Sequence, residues 1–395
     1  MKLKLFLVFF ISLNVYAQNL SQILESLQKS KKTLAITQKT YAEIAQNELI
    51  DTQEAPELTL NLSHADETSQ DGQEYAVALS QNLLQPFSAT SKKNATQEAI
   101  KAINQSKIRE LNLISLEVAS RYHSACTLKE MSTSAKLLFE EQSAKATQLK
   151  HAYELGEISK KSLLFNKLDL AKLQQKVLTH KRAYIAEFSH LREAVDSLEI
   201  TQLSCDDLLE ITKDVGLNSI EEHSEIKKIR YEQNSAKSFY DAYDSMFNSL
   251  AYELVYEKEL DKTRYTFGLS VPLGFATSQT QKQQAQYLHK NASLLAQKEA
   301  LSFEIRNASK SMQLKVEALY DEYTLLKKEI LPMSLELREL SKSALLEGEG
   351  TIMEYLDATR SYSENLLQML QVKQNYYYEL FELYKKADLD LGEKL

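Results

Sequence analysis

Apolar positions recur with the helical period over most of the chain, predicting helices at 18–52, 92–154, 158–200, 217–247, 279–346 and 351–387. At 1.5 Å per residue the helix over 92–154 is about 95 Å long. No compact domain contains such a helix, so partners of similar length in antiparallel, coiled-coil-like hairpins follow. Two interruptions, at 57–83 and 249–272, alternate with period two instead. In the first, Leu58, Leu60 and Leu62, then Tyr75, Val77 and Leu79, alternate with small or polar residues. In the second, Leu250, Tyr252, Leu254 and Tyr256, then Tyr265, Phe267, Leu269 and Val271, do the same. Each reads as a β-hairpin with one large apolar face, and the connecting loops at 65–74 and 258–262 are polar and charged. Length and alternation fit transmembrane barrel strands, apolar toward lipid and polar toward a lumen; a sandwich edge in a soluble protein has the same alternation. Four strands cannot close around a usable pore, since even eight are filled by their own side chains, whereas three copies of the chain supply twelve.

The pattern is also duplicated. Val77-Ala78-Leu79-Ser80 returns as Phe267-Gly268-Leu269-Ser270, and Gly156 as Gly348, about 190 residues further on. After each glycine runs a seven-residue stripe, Leu163, Leu170, Val177, Tyr184 and Leu191 in the first copy and Tyr355, Tyr362, Met369, Tyr376 and Leu383 in the second. The expected organisation is therefore an export signal over 1–17, a first structural repeat over 18–205 with its tip near 156, and a second over 206–395 with its tip near 348–350. Lys2 and Lys4, an apolar stretch from Leu5 to Val15 and the small-residue site Val15-Tyr16-Ala17 carry the signal reading. That stretch is about half the ~20 residues needed to span a bilayer. Gln18, not a cysteine, follows the site, so no thiol is offered to a lipid anchor. An exported chain without a later membrane-length apolar run crosses a membrane only with strands.

Composition narrows the functions. The 395 residues include only 8 Gly and 4 Pro, which leaves little material for phosphate-cradling loops. A formal charge of −8 argues against nucleic acid as a partner. No G-x-S-x-G elbow, phosphate loop or HExxH spacing occurs, so no enzyme, no metal site and no cofactor is expected. Cys126 and Cys205 allow one bridge at most. On a simple hairpin about the turn at Gly156 they stand roughly 25 to 30 Å apart along the axis. A bridge needs Cα atoms within about 7 Å, so they are expected to be unbridged.

At Glu347-Gly348-Glu349-Gly350-Thr351-Ile352-Met353-Glu354-Tyr355-Leu356-Asp357-Ala358-Thr359 the chain resembles the TolC family of outer membrane efflux proteins, at the turn closing that family's second helical hairpin. Thr266-Phe267-Gly268-Leu269-Ser270-Val271-Pro272-Leu273 is similar to its strand-to-helix junction, and Asn375-Tyr376-Tyr377-Tyr378 to its last helix. The resemblance covers essentially the whole mature chain. It implies a mainly α fold with a small β part: long antiparallel helical hairpins forming a trimeric α-barrel tunnel, and two β-hairpins per chain contributing to a shared 12-stranded transmembrane β-barrel. A homotrimer in outer membrane lipid, a periplasmic adaptor protein and an inner membrane pump of RND, ABC or MFS type are the implied partners. The implied role is passive conduction for efflux or type I secretion.

The resemblance also carries site residues. Glu354 and Asp357, three apart on one helical face, match acidic rings at the family's pore constriction; a solvated acidic face is the plainer reading of the same spacing. Gly156, Gly348 and Gly350 mark the exposed tips and are candidate adaptor contacts, though a helix C-cap explains each glycine as well. The chain departs from the family where Gly350 stands for a locking arginine, Leu345 for its tyrosine partner and Ser162 for the first-repeat aspartate. An exported coiled-coil adaptor or scaffold without a pore accounts for the helices and the signal, but leaves both amphipathic hairpins without a purpose.

Overall fold

The structure, a computed structural model, describes residues 17–49, 52–67, 70–84, 86–197, 199–243, 249–271 and 278–391. The expected export segment as far as Tyr16 and the junction from Pro272 lie outside the described residues. Along the chain run α1 (Leu20–Gln28), α2 (Lys31–Glu48), β1 (Glu57–Glu67), β2 (Gln70–Leu84), α3 (Pro86–Glu154), α4 (Lys160–Val195), α5 (Ser224–Tyr243), β3 (Ser249–Lys258), β4 (Thr263–Ser270), α6 (Gln279–Leu325), α7 (Leu331–Glu347) and α8 (Ile352–Ala387).

The helix expected over 18–52 is two helices, because the Ser30 hydroxyl accepts from the Thr33 amide and starts α2 afresh. α3 is longer than expected, a single helix of 69 residues. Between α6 and α7 the helix passes through one wider turn, Leu326–Ile330. Pro332, two residues later, has no N–H and would clash with the carbonyl four residues back, and the wider turn absorbs both faults. No helix among the described residues is long and apolar enough to cross a membrane.

Two compact units divide the chain, and each takes segments from both halves of the sequence. One is Ile36–Glu110 with Ser219–Arg306. It holds a four-stranded antiparallel sheet in the order β1-β2-β3-β4. The register pairs Leu60 with Val77, Leu79 with Leu254, and Leu254 with Phe267, so one face carries the large apolar residues of all four strands. That face is uncovered: Leu62 is 76% exposed and Phe267 63%. Tyr75, Tyr256 and Tyr265 form a row across it, with ring centroids 6.0 and 5.3 Å apart. The other face carries Thr59, Ala78, Ser80, Glu253, Thr266 and Ser270. β1 and β2 run on to Glu67 and Gln70, so most of the loop expected at 65–74 is strand. The outer edges of β1 and β4 have no ladder partner among the described residues.

The other unit is Met1–Ala35, Leu111–Asn218 and Asn307–Leu395. Its core joins Leu20 and Ile23 of α1 with Leu116 and Tyr122 of α3, Leu191 of α4, and Tyr376 and Phe381 of α8. After α4 the chain reverses at Asp196, in the left-handed region at φ 56°, and returns along α3. Polar groups hold this return segment at each step. Lys129 donates to the Leu203 carbonyl, Tyr377 to the Leu209 carbonyl and Tyr376 to the Thr212 carbonyl. His123 accepts from the Leu209 amide at 2.9 Å through Nε2, and its Nδ1 lies 2.8 Å from the Ala119 carbonyl, which fixes Nδ1 as the protonated nitrogen.

The return corrects the expectation for the cysteines. Cys126 and Cys205 are bridged, with Cα atoms 5.6 Å apart. The hairpin estimate counted every residue after Gly156 as helical rise away from the tip. Helix α4 ends at Val195, and the next residues travel back toward the level of Cys126.

Candidate functional site at the helical turns

The turns at the two tips are built alike. Gly156 and Gly348 have φ of +80° and +77°, the left-handed conformation that ends a helix and that glycine adopts without a Cβ penalty. Ser159 then caps α4 by accepting from the Ser162 amide, and Thr351 caps α8 by accepting from the Glu354 amide. Gly350 has a different role. A Cβ there would lie 3.0 Å from the Ala344 Cβ and 3.3 Å from the Leu345 nitrogen, so the end of α7 leaves no room for a side chain without a shift.

Glu354 and Asp357 both border a groove between α7 and α8, with Leu337, Leu340 and Ala344 across from them. Each already has a partner. Glu354 Oε2 accepts from the Thr351 amide at 2.8 Å, completing a reciprocal cap, and this bond holds its carboxyl below the usual glutamate range. Asp357 lies 3.1 Å from Arg360 Nη1.

Arg360 is the residue missed in the sequence. It reaches across to α4, donating Nε to Asp169 Oδ2 at 3.1 Å and Nη2 to the same oxygen. The side chain therefore joins Asp169 of α4 to Asp357 of α8, about three turns from each tip glycine. Beside it is a groove of about 120 Å³, also lined by Lys172 and Lys176. A signal existed: Asp169 and Arg360 are 191 residues apart, one short of the offset between Gly156 and Gly348, so neighbouring places in the two copies carry opposite charges. A second arginine links the hairpins elsewhere. Arg338 of α7 lies 3.6 Å from Glu141 of α3 and 4.6 Å from the centre of the Tyr362 ring. Among the described residues no cluster of His, Cys, Asp and Glu has the makings of a metal site.

No protein-family model matches the chain, and no curated protein does. Solved structures do. The outer membrane protein VceC from Vibrio cholerae superimposes with a TM-score of 0.75 at 12% identity, over 93% of this chain and 95% of that one. The CmeC outer membrane channel of Campylobacter jejuni gives 0.73 at 11% identity, over 93% and 85%. The MtrE outer membrane channel of Neisseria gonorrhoeae, in its open state, gives 0.74 at 14% identity, over 94% and 89%. The fold of this chain, from sheet to helical turns, is that of these outer membrane channels.

Proposed function

We propose that the chain is one protomer of a TolC-like outer membrane channel. Three copies close a 12-stranded barrel in outer membrane lipid and form a helical tunnel in the periplasm. Cargo passes through it passively, driven by an inner membrane pump of RND, ABC or MFS type and joined to that pump by a periplasmic adaptor. The sheet is the observation that carries this reading. It has one uncovered apolar face, one small and polar face, and two open edges, which is what a one-third arc of a lipid-facing barrel requires and what a soluble scaffold avoids. The tandem repeat gives each protomer two hairpins for the barrel and two for the tunnel. The turns at Gly156, Gly348 and Gly350 form the tip that meets the adaptor.

In the same reading Arg360 takes over the closing role left vacant at Gly350. It ties α4 to α8 near the tip through Asp169, and the acidic pair Glu354 and Asp357 lines the constriction on the same helix. Three copies place six carboxylates there, a field that favours cations. Conductance in planar bilayers tests both parts. Purified protein forms channels; Arg360→Gln raises the conductance or the open time, and Glu354→Gln with Asp357→Asn lowers cation selectivity. Protein that is correctly assembled but gives no conductance in any of these forms overturns the channel reading in favour of the scaffold.

A further inference from the structure

Gln18, the residue after the expected cleavage site, is held by its main chain, while its side chain is left without a use. Its amide donates to the Gln202 carbonyl at 3.0 Å, and its carbonyl accepts from the Ser204 amide at 2.9 Å. The result is a short parallel bridge between the start of the first repeat and the return segment. Leu20 adds a third bond, its amide donating to Asp207 Oδ2 at 2.8 Å. Cys205, tied to Cys126 of α3, lies between Ser204 and Asp207, so the strand that receives Gln18 is itself clamped. Ala17, on the other side of the expected cut, is exposed. The carboxamide of Gln18 stands apart from this order. Its Oε1 is buried and accepts no hydrogen bond among the described residues, a costly state for an acceptor.

Removal of the export segment after Ala17 changes what Gln18 offers. Its nitrogen ceases to be an amide and becomes an α-amine, whose pKa of about 8 makes it positively charged at neutral pH. The bridge uses one N–H from this nitrogen, whereas an ammonium brings a charge and two further N–H groups into a half-buried place. Asp207, which reaches the same stretch, already has one oxygen on the Leu20 amide and the other on the Tyr122 hydroxyl.

We propose that Gln18 is a modification site, and that after cleavage its nitrogen closes on its own side chain to give an N-terminal pyroglutamate. The lone pair of the neutral amine attacks Cδ, and the new N–Cδ bond closes a five-membered lactam. The Cδ–Nε2 bond breaks, and the side-chain nitrogen leaves as ammonia with a proton from the attacking nitrogen. Nothing is oxidised or reduced, and no second substrate is consumed. The product nitrogen is again an uncharged amide with a single N–H, which is what the Gln202 carbonyl receives before cleavage. The buried Oε1 is drawn back to the main chain as the lactam carbonyl. The mature chain thus begins with a ring that keeps the bridge and presents no free amine to aminopeptidases. This rests on cleavage after Ala17 and is independent of the channel reading.

Mass spectrometry of the exported protein tests the modification. Free amines are methylated on the folded, membrane-extracted protein before digestion, so that no amine is left to cyclise on the bench. The first peptide is expected to begin at Gln18, to carry no label on its α-nitrogen and to be lighter than its sequence by one ammonia. Gln18→Ala is expected to begin at the same position with a labelled amine, and to lose protection of the Ser204 amide in hydrogen exchange. A labelled, full-mass Gln18 in the wild type overturns the proposal. Equal protection of Ser204 in the two proteins overturns the lactam's part in the bridge. A first peptide that begins anywhere else overturns the cleavage itself, and the modification with it.

Discussion

His123 makes the stability of the return segment sensitive to acid. The imidazole is fully buried among Tyr122, Tyr377 and Phe381, and both its nitrogens are committed, one to the Ala119 carbonyl and one to the Leu209 amide. Burial pushes its pKa from 6.5 down to about 4. Asp207 favours the charged form and Lys373 opposes it, and neither offsets the desolvation. A proton on Nε2 would also face the Leu209 N–H and break that bond. Between pH 6.5 and 4 the unfolded chain binds a proton that the folded chain does not, so stability is full above about pH 6.5 and falls as the pH drops. The slope reaches about 1.4 kcal/mol per pH unit, and the whole window is worth about 3 kcal/mol. His123→Gln keeps an acceptor and a donor without titrating. Urea unfolding and hydrogen exchange of the peptide containing Leu209, at about pH 7 and about pH 5, compare the two proteins. The wild type is expected to lose about 2 kcal/mol more than the variant over that interval, and its Leu209 amide to exchange faster. Equal pH slopes in both proteins, with unchanged exchange at Leu209, would refute the reasoning, because other carboxylates titrate in each alike.

The disulfide yields a second expectation. It closes a loop of 79 residues, so Cys126→Ser with Cys205→Ser costs up to about 4.5 kcal/mol on chain entropy, read as a lower urea midpoint at neutral pH; an unchanged midpoint would mean that the polar contacts of the return segment suffice. The two faces of the sheet yield a third. Leu60→Arg or Phe267→Arg costs about 2 to 4 kcal/mol per copy near the bilayer midplane and blocks insertion, whereas Ala78→Arg and Ser270→Arg are tolerated better; heat-modifiable bands in outer membrane fractions report both, and equal tolerance on the two faces rejects a lipid-facing sheet.

What the sequence determined by itself is whatever depends on neighbours along the chain. Periodicity placed all the long helices and both hairpins, because a helix of period 3.6 and a strand of period two sort apolar side chains locally, and the capping signals Ser159, Gly156, Gly348 and Thr351 act within a turn. The duplication was legible for the same reason, as recurring spacing. Tertiary structure decided everything that depends on chain reversal. Asp196 turns the backbone into a path that periodicity does not describe, which brings Cys205 to Cys126 and Leu209 to His123 across a gap the helix count made too wide. It also decided the site. Glu354 and Asp357 read as an acidic pair on one helical face, and the fold adds that one also caps α8 while the other pairs with Arg360, whose reach to Asp169 joins helices far apart in sequence. Spacing along one helix fixes which residues share a face; which side chain lies across from that face is set only when the hairpins pack.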